Sequence, residues 1–234
     1  HPNSLSLKNA PFGEGHCLIV FPLGDKTLTD RLRARMALRT ALDYGIQLLE
    51  ALSYAHQHRV IHCDVKPDNL ILFGNDRLRL SDFGIAKVAQ HTIVASGSGT
   101  IGYCAPQQVM GKPSFYSDVY SAGLVLYRML TGHLPEWPFE EPLPGQSRLK
   151  KLHPDLVQLV LRSIDVDPRR RFPSCQQMLT ALERARPRAL RAHTLRRNKK
   201  KAEVGASWQA VRSRQFQRQY SKVLETNCTC TACS

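Results

Sequence analysis

The stretch SDVYSAGLVLYRMLTG, Ser117 to Gly132, constrains the fold of this chain more than any other. From Asp118 onward it is apolar on nearly every side of a 3.6-residue helix. A helix without a polar face has to be surrounded, so other helices must form a shell around it. Gly132 is a natural stop. Residues Arg31 to Arg59 offer one member of that shell: Leu38, Ala41, Leu42, Gly45, Leu48, Leu49, Leu52 and Ala55 recur at three- and four-residue spacing. Two more amphipathic helices are expected, roughly Pro154–Ile164 and Ser174–Ala185, after the proline-rich connection EWPFEEPLPG. Strand signals are confined to the front half. Residues 1–23 alternate and pause like a hairpin, and LILFGNDRLRLSDFG reads as a second hairpin turning at Gly74-Asn75-Asp76. The polar segment HTIVASGSGT that follows is expected to be a mobile loop. The fold class is α+β, with many helices behind a few short strands.

Composition bounds the class. The 234 residues are 42% hydrophobic and 22% charged, enough for one good core plus an extension. No apolar run approaches the roughly 18 residues of a membrane span, and no signal peptide opens the chain. Cys17, Cys63, Cys104 and Cys175 lie scattered in or beside apolar segments, which fits buried thiols in a reducing cytosol better than a disulfide framework. The formal charge of +14 is uneven: Glu183 to Ser234 holds 13 Lys/Arg against 3 Asp/Glu, leaving about +4 for the rest. The basic character belongs to a tail. That tail reads either as a solvated, flexible end or as a contact for nucleic acid or an anionic membrane surface. Cys228, Cys230 and Cys233 at its end have no fourth Cys or His close by, so they make a poor tetrahedral metal site.

The window VIHCDVKPDN, Val60 to Asn69, crowds titratable groups between the apolar flanks LSYA and LILF. Pro67 forbids helix through it. Asp64, Lys66 and Asn69 share this loop, and the hairpin after it returns Asp82 beside Asn69. A carboxylate and an amide oxygen suit a hard cation such as Mg²⁺, and an ammonium neutralises charge on a phosphoryl group. The remaining carboxylate can accept a hydroxyl proton.

HCDVKPDN followed by SDFG resembles the catalytic and metal loops of the Hanks-type Ser/Thr protein kinases. The resemblance continues in order through GTIGYCAPQ, SDVYSAGLVLYRMLTG and DPRRRFPS, and backwards through HPNSLSL and CLIVFPLGDKTL, covering about residues 1–185. It implies a kinase-like fold: a hairpin remnant of the N-lobe with the hinge over 1–23, a helical C-lobe over 24–185, and the basic tail over 186–234. It implies transfer of the γ-phosphoryl of ATP to a protein Ser/Thr hydroxyl with Mg²⁺, or Mn²⁺ in its place, in the cytoplasm. Asp64 matches the base that orients the hydroxyl, Lys66 the contact to the γ-phosphate, and Thr100 the threonine that bonds to both. Asn69 and Asp82 match the metal ligands. Val20 fits the gatekeeper slot, the backbones of Phe21 and Leu23 the adenine contacts, and Ile71 the floor of that pocket. Pro22 between them lacks only an N–H that the nucleotide does not need. His62 and Phe83, stacked with Leu7, resemble the regulatory hydrophobic column, and Asp118 the anchor beneath it.

Two positions depart from the family pattern, and one part of the pattern is not in the sequence. Cys63 stands where an Arg usually precedes the catalytic Asp, which weakens Thr92, Ser96 and Ser98 as regulatory phosphorylation sites. Gln107 replaces the Glu of A-P-E, so its bond to Arg171 is expected to be amide to guanidinium. The Gly-rich loop, the strand Lys and the helix Glu of the family would precede HPN. His1 is not Met, so the sequence is expected to begin inside a longer gene product, and this chain to be inactive, or nearly so, by itself. The other reading is a non-catalytic kinase-like scaffold or binding module; a Gly-rich loop encoded upstream of His1 would decide for the enzyme.

Overall fold

A computed structural model of the chain describes residues 1–10, 12, 13, 16, 17, 19–74, 76–83 and 101–227, with 12, 13, 16, 17, 101 and 205–227 described in backbone only. Its elements are β1 Phe12–Gly13, β2 His16–Cys17, β3 Lys26–Thr27, α1 Leu28–Arg31, α2 Leu38–Gln57, β4 Leu70–Phe73 and β5 Arg77–Leu80, followed by α3 Pro106–Val109, α4 Phe115–Thr131, α5 Gln146–Leu149, α6 Pro154–Ser163 and α7 Cys175–Asn227. The chain divides into two units, His1–Leu190 and Arg191–Ser234.

Helix α4 is the centre of the first unit, as its all-round apolar character requires. Val119, Leu124, Val125, Leu126 and Tyr127 are all buried, each worth about 1.5–3 kcal/mol of transfer free energy. A capping box between Ser114 and Ser117 opens the helix, and Gly132, at φ 79° in the left-handed region, closes it. Gly123 lets α6 come close: a Cβ there would lie 2.2 Å from Ser163 Oγ. On the other side α4 meets α2, whose buried positions include Ala41, Leu42, Gly45, Leu48, Leu49, Leu52 and Ala55. These are the residues whose periodicity predicts that helix. Its start differs from the expectation at Arg31. Thr27 and Asp30 cap the short helix α1, which ends at Arg31 with Leu32 as its C-cap. Met36 then turns into the core, and α2 begins only at Leu38. Side-chain burial overrides local helix propensity over that stretch.

The strands form two antiparallel groups. In the sheet β3-β4-β5, Leu70 pairs with Leu80 and Phe73 with Arg77. Leu70, Leu72, Leu78 and Leu80 face the core, so Ile71, Phe73, Arg77 and Arg79 share the opposite face. Gly74 and Asp76 are in turn conformation, at the expected place, and Asn75 lies outside the described residues. β1 and β2 form the front hairpin, and a bridge between Asn9 and Val20 continues its register. The first residues are stitched to β5: Leu80 N–H donates to Asn3 O and Leu5 N–H to Leu80 O, both at 2.8 Å.

Helix α7 runs well past the expected end at Ala185, through Pro187 and on to Asn227. Pro187 removes one backbone donor. The residues around and after it are mostly Ala, Leu, Arg and Lys, which favour helix intrinsically. The secondary structure therefore has no break at the boundary expected at 185/186. Among the described residues no helix is long and apolar enough to cross a membrane. The segment HTIVASGSGT with Thr92, Ser96, Ser98 and Thr100, and the cysteines 228, 230 and 233, lie outside the described residues.

Candidate active site

The loop Val60–Lys66 enters the core because a buried carboxylate receives it. Asp118, fully buried near the start of α4, accepts hydrogen bonds from the backbone N–H groups of His62 and Cys63, both at 2.8 Å. His56 Nε2 lies 2.9 Å from the same carboxylate. Burying a carboxylate is tolerated only with such partners. They also hold Cys63 at φ 64°, a left-handed conformation unfavourable for a non-glycine residue. Gln108 clasps the other side of the same residue, donating from Nε2 to Cys63 O at 2.5 Å.

His62 is a satisfied core histidine. Its Nδ1 accepts from Asp64 N–H at 3.2 Å, so Nε2 carries the proton and donates to Ser81 O at 2.8 Å. The ring meets Phe83 edge-on, with centroids 4.8 Å apart. His62 thus couples the loop to the end of β5. Leu7, expected to stack with this pair, is 54% exposed instead. The backbone ladder of Lys8 and Asn9 with Val20 starts just beyond it and leaves its side chain outside the core.

The four polar residues predicted to act together are joined by hydrogen bonds. Lys66 Nζ sits 2.9 Å from Asp64 Oδ2. Asn69 Nδ2 donates to the same Oδ2 at 2.9 Å and to Asp64 O at 2.8 Å. With its amide nitrogen committed twice, Asn69 Oδ1 stays available as an acceptor among the described residues. Pro67 opens the 3₁₀ turn Pro67–Asn69 that places this amide at the head of β4. Across the hairpin, Ser81 N–H donates to Asn69 O at 2.9 Å. The Ser81 hydroxyl lies 3.0 Å from Asn69 O and 3.1 Å from Asp82 Oδ2, one proton serving two acceptors. Asp82 itself is exposed, at φ 59°, so the backbone turns its carboxylate out of the strand direction. Two carboxylates and an amide oxygen against one ammonium leave the cluster anionic, suited to a hard divalent cation.

The predicted nucleotide-edge residues are a separate group. Ile71 is half-buried on the outer face of β4, and Gly24 passes flush against it: a Cβ on Gly24 would lie 2.2 Å from Ile71 Cγ2 and 3.0 Å from Leu72 O. Val20 is tied to Asn9 through its backbone. Phe21 is exposed and Leu23 is 95% exposed, and among the described residues their backbone groups have no partner. Among the described residues no hydrogen bond joins Val20, Phe21 or Leu23 to the polar cluster. Ser81, His56 and Gln108 were not singled out from sequence. Ser81 was legible as the residue between β5 and Asp82, whereas nothing local marks Gln108 as a clasp.

Arg171 is fully buried, and its nearest acceptors are neutral. It donates to Asp165 O at 2.6 Å, Tyr116 O at 3.0 Å, Val166 O at 3.1 Å and Gln107 Oε1 at 3.2 Å. Its guanidinium also lies over the Tyr120 ring, 4.5 Å from the centroid. Burial pulls its pKa down to about 10, against the opposing pull of Tyr120, Asp165 and Asp167. Burial likewise pushes the Cys104 thiol up to about 11, with Cys63 and Asp64 adding to the effect, so Cys104 is a poor nucleophile.

Comparison with known proteins gives the family. The protein kinase domain family matches residues 1–182. The chain belongs to that family. It is 36% identical over 172 residues to a serine/threonine-protein kinase, PknA, of Nostoc sp., covering 67% of this chain and 30% of that protein. Serine/threonine-protein kinase PknB of Mycobacterium tuberculosis is 32% identical over 166 residues, 64% of this chain and 26% of that protein. A probable serine/threonine-protein kinase of Clostridium acetobutylicum is 27% identical over 190 residues, 73% of this chain and 28% of that protein. The chain thus spans less than a third of the length of these relatives. Its helical bundle and small antiparallel strands fit a helical C-lobe with part of an N-lobe of the kinase fold.

Proposed function

We propose that the polar cluster is the phosphoryl-transfer centre of a Ser/Thr protein kinase acting on a protein hydroxyl with Mg²⁺-ATP. The observation that carries this reading is the continuous hydrogen-bonded run Lys66–Asp64–Asn69–Ser81–Asp82. Asp64, oriented by Asn69 Nδ2 and charge-paired with Lys66, accepts the substrate hydroxyl proton. Lys66, only 2.9 Å from that carboxylate, is placed to swing its ammonium onto the γ-phosphate. Asn69 Oδ1 and the Asp82 carboxylate would hold Mg²⁺, or Mn²⁺, with hard oxygens. The fit is supported by Asn69's amide nitrogen, which is held away from the metal side. Among the described residues no three His, Cys, Asp or Glu side chains gather as a metal cluster, so a cation here depends on phosphate oxygens to complete its shell. When bound, the cation neutralises charge on the transferring group. For Thr100, which lies outside the described residues, the family resemblance implies hydrogen bonds to Asp64 and Lys66. Val20, Phe21, Leu23 and Ile71 would line the adenine edge, with Gly24 holding the strand against Ile71.

The same reading divides the chain into an N-lobe remnant with hinge (1–23), a C-lobe (24–185) and a basic tail with an anionic partner (186–234). It places the protein in the cytoplasm; no disulfide links the described cysteines Cys63, Cys104 and Cys175. These 234 residues contain no Gly-rich loop and no strand Lys to grip the α- and β-phosphates, so by themselves they should transfer phosphate several orders of magnitude more slowly. The test uses protein expressed from the whole reading frame, γ-labelled ATP, Mg²⁺ and a mixed protein acceptor. Label should appear on Ser and Thr and vanish in Asp64→Asn and Asp82→Ala. Equal labelling by wild type and Asp82→Ala sinks the assignment.

A further inference from the structure

The kinase chemistry leaves the basic part of α7 without a task. Residues 191–204, RAHTLRRNKKKAEV, carry Arg191, Arg196, Arg197, Lys199, Lys200 and Lys201 against the single carboxylate of Glu203. Every residue from His193 to Val204 is exposed. At about 100° per residue the six cations occupy all sides of the helix, with no gap between neighbours wider than about 80°. Leu195 and Val204, the exposed large apolar residues of this stretch, fall on opposite sides, about 180° apart.

Those two facts select among polyanions. A helix that lies on a membrane needs one apolar stripe to bury and one basic face toward the headgroups. This stretch has neither. The major groove of B-form DNA, about 12 Å wide, accepts an α-helix between two phosphate walls. Cations on opposite sides of the helix then reach opposite strands. Along the helix Arg197 and Lys201 are a like-charge pair at i,i+4, while Glu203 stands at i,i+4 from Lys199. A phosphate-lined groove relieves that repulsion and should increase helix content.

We propose that residues 191–204 form a docking surface for double-stranded DNA, bound through its phosphates without sequence preference. This deepens, and rests on, the anionic partner assigned above to the tail. It does not depend on the phosphoryl-transfer chemistry.

The experiment titrates the full chain, without nucleotide, into a fluorescein-labelled 20-base-pair duplex, following anisotropy from about 50 to 200 mM salt. With four to six phosphates neutralised, log K against log salt should fall with a slope of about −3.6 to −5.4. The combined variant Lys199→Gln/Lys200→Gln/Lys201→Gln should lose about 2.7 of that slope and bind at least about tenfold more weakly at 100 mM salt. Helical ellipticity of the wild-type chain should rise on adding duplex. A flat salt response, an unchanged slope in the triple variant, or tighter binding to phosphatidylserine-containing vesicles or to the single strand at equal phosphate would each overturn the proposal. Asp82→Ala binding DNA like the wild type separates this result from the fate of the kinase reading.

Discussion

The Arg171 pocket allows one substitution to be worked through in detail. Keeping a guanidinium charged where its pKa is pulled to about 10 costs on the order of 3 kcal/mol. Four neutral oxygens and a ring face offset that cost, and the bond to Gln107 Oε1 is the longest of the four, at 3.2 Å. Gln107→Glu changes no volume and turns this neutral bond into a charge-assisted one. Such bonds contribute about 1.5–3 kcal/mol rather than about 0.5–1.5. The other side of the amide now donates to Ser117 Oγ at 3.1 Å. In the variant the Ser117 hydroxyl can rotate to donate instead, so no polar group is stranded. Position 107 is half-buried, which limits the desolvation of the new carboxylate. The net expectation is a gain of about 1–2 kcal/mol at pH 7, or about 2–8 °C in Tm for a chain of this size.

The pH dependence is an independent check. Arg171 holds the new carboxyl's folded pKa below its unfolded value of about 4.3. The gain is therefore fully present above that value and disappears as pH falls through the folded pKa. Differential scanning calorimetry of both proteins between pH 7 and pH 3 would show a Tm difference that closes at the acid end. Gln107→Leu removes one acceptor of Arg171 Nη2, which keeps Val166 O, and one donor to Ser117 Oγ, which keeps Ser114 N–H, and should instead lose about 1–3 kcal/mol. No gain at pH 7, or a gain that persists unchanged at pH 3, would refute the account of this pocket.

Three further substitutions probe other joints. Asp118→Asn keeps the shape but offers one acceptor where two backbone N–H groups and His56 converge; it should cost about 3 kcal/mol or more in urea unfolding, and a loss under 1 kcal/mol would count against the anchor role. Gly123→Ala puts a Cβ 2.2 Å from Ser163 Oγ and 2.9 Å from Ile164 Cγ2, so α4 and α6 must separate at a cost of about 1–3 kcal/mol; thermal unfolding checks it, and an unchanged Tm would contradict the packing. Gly24→Ala should displace Ile71 and weaken nucleotide binding at least about tenfold, measured with a fluorescent ATP analogue, while leaving the Asp64–Asn69 cluster and global stability within about 1 kcal/mol.

The hydrogen-bonded arrangement of the candidate site was legible in large part because its determinants are local. Asp64, Lys66 and Asn69 share one loop, and the hairpin register from Leu70–Leu80 fixes Asp82 beside them. The residues that hold the loop in place come from far along the chain. Asp118 lies 55 positions from Cys63, and Gln108 lies 45. Asp118 was found through family resemblance; Gln108, one of two adjacent glutamines, had no signal. The start of α2 was misplaced because the burial of Met36, a tertiary event, outweighs a helix-permissive sequence. The reach of α7 was underestimated for the opposite reason: residues after Ala185 lack an apolar stripe, yet intrinsic propensity suffices to continue the helix through Pro187. Leu7 was assigned by analogy to a column that its own surroundings do not complete.

The central claim is that Asn69 and Asp82 face one metal–phosphate position next to Asp64. Electron paramagnetic resonance of Mn²⁺ added with ATP to this chain tests it without any need for turnover. A protein-bound Mn²⁺–nucleotide signal should appear with the wild type and disappear in both Asp82→Ala and Asn69→Leu. An undiminished signal in either variant would contradict the site.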